Sequence, residues 1–310
     1  MYEPFYGLNE GPFSLLPDPA YLFLSRQHKM ALTLLKYGLI NHHSYTVITG
    51  EVGAGKTTLI NKLLTEIRED FTVGLINFTD KRVTQLMPWV LRAYKLPYEN
   101  MSTVKMHDCF TEFLVEEREN GRMTVLIVDE AQNLAHKVLE NLRLLSNVNA
   151  NDTYLQLILI GQPEFRKTLE KPKFRQLTQR VSTYYRLDPL SQAETEHYIK
   201  HRIGIAGGNP KIFSSSAINK IWKQTGGIPR SINTLCDLSL VYGFANSRKV
   251  IDEKLVEEML ADRQEFAVVP SSLHPTQNCA SSDEGKQRSE RSLFERLAET
   301  QQSRRGATAR

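Results

Sequence analysis

Residues 50–58 read GEVGAGKTT, and this stretch limits what the chain can fold into more than any other. Residues Gly50, Glu51, Val52, Gly53, Ala54, Gly55, Lys56 and Thr57 match GxxxxGK[ST], with Thr58 following. The β-rich run YTVIT (45–49) precedes the motif and the helix-periodic LINKLLTEIRED (59–70) follows it. That context is the one a phosphate-binding loop needs. Glycines at 53 and 55 let backbone N–H groups turn onto an anion without a side chain in the way. The helix that follows aims its positive N-terminal end at the same place. Lys56 then reaches the β- and γ-phosphates, and the Thr57 hydroxyl ligates Mg²⁺.

A loop of this kind binds but does not by itself hydrolyse. TVLIVDEAQ (124–132) supplies the complement. An apolar strand ending in two carboxylates needs a reason, because buried charge is costly unless compensated. Asp129 is expected to make the second Mg²⁺ contact and Glu130 to polarise the attacking water. Gln162 follows LQLILIG and is expected at a strand end near the γ-phosphate, either as a sensor or as a plain loop amide. Arg175 and Arg180 stand in FRQLTQRV, just before VSTYYRL; an arginine finger for a neighbouring subunit would sit there, with Arg180 the stronger candidate and a solvated arginine the alternative. Arg230 opens the helix that begins at GGIPRSIN. A cation there opposes the helix dipole, which suggests reaching bound nucleotide across a cleft.

Strand-like runs at 45–49, 73–78, 124–129, 155–161 and 181–187 alternate with helical segments. This predicts an α/β fold with a parallel sheet covered on both faces. From about residue 191 the strand signal stops, and four helical segments predict an α-helical lid over 191–262. The expected division is an N-terminal arm and first helix (1–44, part of the core), an α/β nucleotide-binding domain (45–190), the lid, and a polar tail (263–310) too poor in apolar residues to fold. Within that tail, SERSLFERLAET sets Leu293, Phe294 and Leu297 on one side of a short helix, as a docking motif or as an unfolded amphipathic stretch.

Composition sets limits on the partners. The formal net charge of the 310 residues is +4, so no polyanion-binding field covers the whole surface. Three distant cysteines, Cys109, Cys236 and Cys279, exclude a CxxC motif and fit a reducing cytoplasm. No signal peptide and no run of about 18 apolar residues is evident, so no membrane span is expected.

Taken together, the phosphate loop, the DE carboxylates, the polar residue after the fourth strand, the arginines before the fifth and GIPR in a helical lid resemble the AAA+ ATPases. The opening MYEPFYGLNEGPFSLLPDPAYLFLS, with HKMALTLLKYGL, VITGEVGAGKTTL, LIVDEAQNL, LILIGQPEF and GGIPRSIN, resembles the ExeA-like branch, which includes the ATPases of secretion pathways and MSHA-type pilus biogenesis. The resemblance covers residues 1 to about 262. It implies a sheet in order 5-1-4-3-2, a lid, a ring or partial-ring oligomer of the chain with itself, and ATP at subunit interfaces. It also places the arm and the segment around His28 near the base, although His28 reads equally well as a helix-surface residue.

Secretion-type relatives continue into a membrane span and a peptidoglycan-binding region, where this sequence has a polar tail. Two roles remain open. One is an ATPase in the cytoplasm, peripheral at the inner membrane, that drives assembly of a secretion or type IV pilus-like apparatus. The other is a regulator of the transposition type that oligomerises on duplex DNA, for which Lys137 and Arg143 would point into the ring unless they only solvate a helix face. A nucleotide-gated scaffold without turnover is a third reading, opposed by the intact Glu130.

Overall fold

A computed structural model describes residues 1–15, 18–67, 69–77, 85–146 and 154–266. The region 267–310, including Cys279 and the stretch around Leu293, Phe294 and Leu297, lies outside the described residues, as does Phe78 at the end of the second predicted strand. In chain order the helices are α1 (Glu3–Tyr6), α2 (Arg26–Ile40), α3 (Lys56–Glu66), α4 (Met87–Ala93), α5 (Thr103–Glu119), α6 (His136–Leu145), α7 (Pro163–Leu169), α8 (Arg175–Thr178), α9 (Gln192–Ile205), α10 (Ser215–Thr225), α11 (Pro229–Ala245) and α12 (Glu253–Phe266). The strands are β1 (Tyr45–Gly50), β2 (Phe71–Asn77), β3 (Met123–Asp129), β4 (Leu155–Gly161) and β5 (Val181–Leu187).

The strands form one sheet in the order β2-β3-β4-β1-β5, with every pairing parallel. This is the expected order read from the opposite edge. β1, β3 and β4 are buried along their whole length. That is why they read as unbroken apolar runs, as strands covered on both faces do. Side chains alternate between two cores. Leu126, Val128, Leu157 and Leu159 face α4 to α7, while Val125, Ile127, Ile158 and Ile160 face α2 and α3. β5 is an edge strand, and its residues alternate between half-buried and exposed until Leu187.

Sequence cues set the helix ends. Ser25 caps α2 by accepting from the His28 backbone N–H, and Ser191 with Glu194 forms a capping box on α9. Pro229 opens α11, where its missing N–H costs nothing, and Gly226 ends α10 in the left-handed region at φ +59°.

A third core joins α9–α12 with the N-terminal arm. Tyr2, Tyr6, Leu8, Phe13 and Tyr21 are buried among Ile199, Ile203, Ile218, Ile232, Leu240 and Leu255. The arm was expected with the α/β core; its aromatic side chains instead complete the helical cluster. The helices alone would leave that apolar face in water, and covering it is the driving force. Arg202 on α9 fastens the arm. Its guanidinium donates to the carbonyls of Pro12 and Ser14 and lies 4.8 Å from the centre of the Tyr21 ring.

Candidate nucleotide-binding site

The site is built at the C-terminal ends of β1, β3 and β4, where the loops of a parallel sheet converge. Between β1 and α3 the loop turns through Gly53 (φ +81°) and Gly55 (φ +93°), a conformation that side chains resist. Space matters as much as angle. A Cβ on Gly53 would meet the Arg230 Cβ at 2.6 Å, and one on Gly55 would meet His28 Nε2 at 2.8 Å. The loop is therefore clasped by a lid residue on one side and by α2 on the other. Val52 is exposed at its crest, Ala54 is buried and Thr58 is half-buried in the first turn of α3.

Lys56 is buried and donates from Nζ to the carbonyls of Gly50 (2.8 Å) and Glu51 (3.0 Å). Burial lowers its pKa, and the negative charges of Glu130, Asp129, Glu51 and Glu164 oppose that shift. Thr57 Oγ1 donates to Asp129 Oδ2 at 3.2 Å, which brings together the two residues expected to hold Mg²⁺. The other oxygen of Asp129 accepts from the Glu130 N–H at 2.8 Å. Burial raises the Asp129 pKa, and the neighbouring Glu130 charge adds to the rise. A desolvated carboxylate beside a hydroxyl suits a hard divalent cation that prefers oxygen ligands, so the residues present fit Mg²⁺.

Glu130 has a left-handed backbone, φ 54° and ψ 37°, which is uncommon outside glycine. This turn lifts its carboxylate off the strand. Gln162, the residue after β4, donates from Nε2 to Glu130 Oε2 at 3.4 Å. Sequence reasoning passed over Gln132, which donates from Nε2 to the same oxygen. The signal available was its place two residues beyond Glu130, in a turn too short to carry it away.

His28 is not on the helix surface; it is buried against the loop. Its Nε2 lies 3.0 Å from the Ala54 carbonyl and its Nδ1 2.8 Å from Ser25 Oγ. A carbonyl only accepts, so Nε2 carries the proton and Nδ1 accepts from the serine hydroxyl. Burial pushes the His28 pKa down, against the opposing pull of the Ala54 carbonyl and the Glu194 charge. The cap residue Ser25 thus also sets the ring orientation, a link that the spacing Ser-x-x-His carries.

Arg230 is exposed at the start of α11, and its backbone N–H donates to the Gly53 carbonyl at 3.3 Å. The two arginines before β5 stand in different surroundings within one copy of the chain. Arg180 is half-buried, and its guanidinium donates to the Arg143 carbonyl and to Ser146 Oγ at the end of α6. Arg175, the first residue of α8, is exposed. Of the residues suggested for DNA, Lys137 is exposed, whereas Arg143 pairs with Glu140 at 2.6 Å. None of the helices among the described residues is long and apolar enough to cross a membrane.

Known proteins give the same picture. Residues 40–169 match the family described as an AAA domain. Over 254 residues, 81% of the chain, the sequence is 38% identical to General secretion pathway protein A of Aeromonas hydrophila, and this covers 46% of that protein. The chain thus spans about half the length of this curated relative. Among solved structures, the ORC2 protein of Aeropyrum pernix in its ADPNP–ADP complexes superposes with a TM-score of 0.60 at 15% identity, covering 82% of this chain and 72% of that one. The ORC1 protein of Aeropyrum pernix in complex with DNA gives 0.60 at 15% identity, covering 82% and 70%. Sheet order, phosphate loop and sequence likeness agree: the chain has the AAA+ fold with an AAA domain at residues 40–169, and over 81% of its length it is similar to General secretion pathway protein A.

Proposed function

We propose that the chain binds Mg-ATP at the phosphate loop and hydrolyses it, and that the cycle drives assembly of a secretion or type IV pilus-like apparatus. The observation that carries the enzymatic part is the convergence on one point of Lys56, the Thr57–Asp129 pair and the Glu130 carboxylate. In this reading Lys56 exchanges its carbonyl partners for the terminal phosphates. Bound Mg²⁺ would supply charge neutralisation between the phosphates, held by Thr57 and Asp129. Glu130 orients and polarises the attacking water, Gln162 senses the γ-phosphate, and Arg230 brings the lid onto the loop. The site would lie between subunits of an oligomer, completed by Arg180 or Arg175 of the next copy.

The cellular part rests on the likeness to General secretion pathway protein A. It would place the chain in the cytoplasm, with secretion or pilus proteins at the inner membrane as its partners. A second reading, action on duplex DNA, is favoured by the fold shared with a DNA-bound ORC1 protein and by the exposed Lys137.

The test of hydrolysis is Glu130→Gln. ATP binding is expected to persist and turnover to fall about 10²-fold or more, the scale of lost general-base assistance. Normal turnover in that variant would remove Glu130 from the mechanism. Steady-state ATPase with and without duplex DNA separates the two roles; strong stimulation by DNA would overturn the assembly reading.

A further inference from the structure

Gln132 occupies a position that the hydrolysis scheme does not use. It is half-buried in the short turn Ala131–Asn133 that follows Glu130. Both ends of its side-chain amide are engaged. Nε2 donates to Glu130 Oε2, and Oε1 accepts from the backbone N–H of Gln162 at 3.0 Å. The two bonds fix the amide in one orientation, because turning it over would set oxygen against carboxylate and N–H against N–H. The close approach also depends on Gly161, since a Cβ there would lie 3.1 Å from Gln132 Oε1. Glu130 Oε2 is the oxygen that both glutamine amides hold.

We propose that Gln132 is a positioning residue that ties the Glu130 carboxylate to the start of the Gln162 loop, so that the residue orienting water and the residue reading the γ-phosphate move as one unit. The inference rests on the hydrolytic reading above and deepens it. The physical reason lies in the backbone of Glu130. A glutamate side chain has three rotatable bonds, and a left-handed turn gives it no fixed direction of its own. The Gln162 side chain reaches it only at 3.4 Å, a weak bond that a phosphate oxygen can take over. Without a second donor, the carboxylate would be released as soon as Gln162 engaged nucleotide. Gln132 supplies that donor from a rigid turn. Its other end, on the Gln162 N–H, carries a shift of that loop to the carboxylate. A sub-ångström displacement at such a point changes the rate more than the affinity.

The test uses the full chain with Gln132→Ala, Gln132→Glu and each change combined with Glu130→Gln. In the absence of nucleotide, Gln132→Ala should raise the hydrogen-exchange rate of the Gln162 amide about 10-fold or more, since that N–H loses its acceptor. Gln132→Glu should leave this exchange slow, because a carboxylate still accepts the bond. Both single variants should bind a fluorescent ATP analogue within about 2-fold of wild type, with KM for ATP little changed and kcat reduced about 10-fold or more. In the Glu130→Gln background Gln132→Ala should change kcat by less than 2-fold, because Gln132 acts only through that carboxylate. A further 10-fold loss in that background would overturn the inference, as would unchanged kcat in Gln132→Ala. If the wild-type chain lacks turnover, the hydrolytic reading fails and this inference fails with it. Wild-type turnover with an insensitive Gln132 overturns this inference alone.

Discussion

At the scale of single residues, the site is governed by what burial does to charge. Lys56 is buried with the carbonyls of Gly50 and Glu51 as hydrogen-bond partners; burial lowers its pKa, and the charges of Glu130, Asp129, Glu51 and Glu164 oppose that shift. Lys56→Ala should abolish detectable binding of a fluorescent ATP analogue while leaving the fold intact by circular dichroism. Undiminished binding would sink the loop assignment. His28 makes a second prediction, one about pH. Its folded pKa lies below the ordinary value of about 6.5 because the buried ring resists charging. The unfolded chain therefore takes up the proton first as pH falls. The stability contributed by His28 is complete above about pH 6.5 and is lost as pH falls through the depressed folded value. His28→Ala should lower the melting temperature at pH 7.5, and the gap between variant and wild type should narrow toward pH 5. Thermal unfolding at the two pH values measures it, and a constant gap would refute the neutral buried ring.

At the scale of elements, the segment from α7 to β5 decides whether the site is shared. Within one copy of the chain, Arg180 ties the end of α6 to the start of β5 through Arg143 O and Ser146 Oγ. A cation at a helix C-terminus satisfies open carbonyls and complements the dipole. Arg180→Ala should therefore cost about 1–2 kcal/mol in denaturant unfolding, from lost charge-assisted hydrogen bonds. That cost is absent for a finger that touches only a neighbour. Mixing Arg180→Ala with Lys56→Ala decides its second role. Recovered ATPase activity would show an arginine supplied in trans, and no recovery in oligomers shown to form would pass the role to exposed Arg175.

At the scale of the whole molecule, the chain closes its helical layer with its own first residues. Phe13 is 1% exposed within a cluster whose other members lie mostly beyond residue 190. Phe13→Ala should cost about 3–5 kcal/mol, the range for an emptied aromatic site in a core. Urea unfolding followed by Trp222 fluorescence reports it, since Trp222 Nε1 donates to Leu190 O beside that cluster. A cost under about 1 kcal/mol would show that the arm is not part of the helical core. Removal of residues 267–310 should leave the melting temperature within about 2 °C, because their composition is polar and poor in apolar residues. A drop of about 5 °C or more would mean that the stretch around Leu293, Phe294 and Leu297 packs on the body.

Much of this was legible in the chain because local rules carry it. Continuous apolar runs marked β1, β3 and β4, since a central parallel strand buries both faces. Helix ends at Ser25, Ser191, Pro229 and Gly226 are set by contacts within a few residues, since termini must satisfy their own backbone groups. Glycine spacing, a lysine and a strand-end acidic pair named the binding loop and its partner strand. Three features had no local signature. The arm's aromatics could pack on either layer, and only the folded α9–α12 cluster offers them a matching apolar face. His28 on a half-apolar helix looks the same in sequence whether it faces water or a loop, and the packing of α2 against β1 and α3 turned it inward. Gln162 and Arg180 take their partners from turns and helix ends tens of residues away, and Gln132, although close to Glu130 in sequence, is fixed by a second bond to the Gln162 backbone, 30 residues on. Sequence by itself set which elements form and which groups bear the chemistry, because helix caps, strand periodicity and loop geometry act over a few residues. Tertiary structure alone decided which of those groups meet, because a hydrogen bond between distant side chains depends on strand order and packing that no short window of sequence contains.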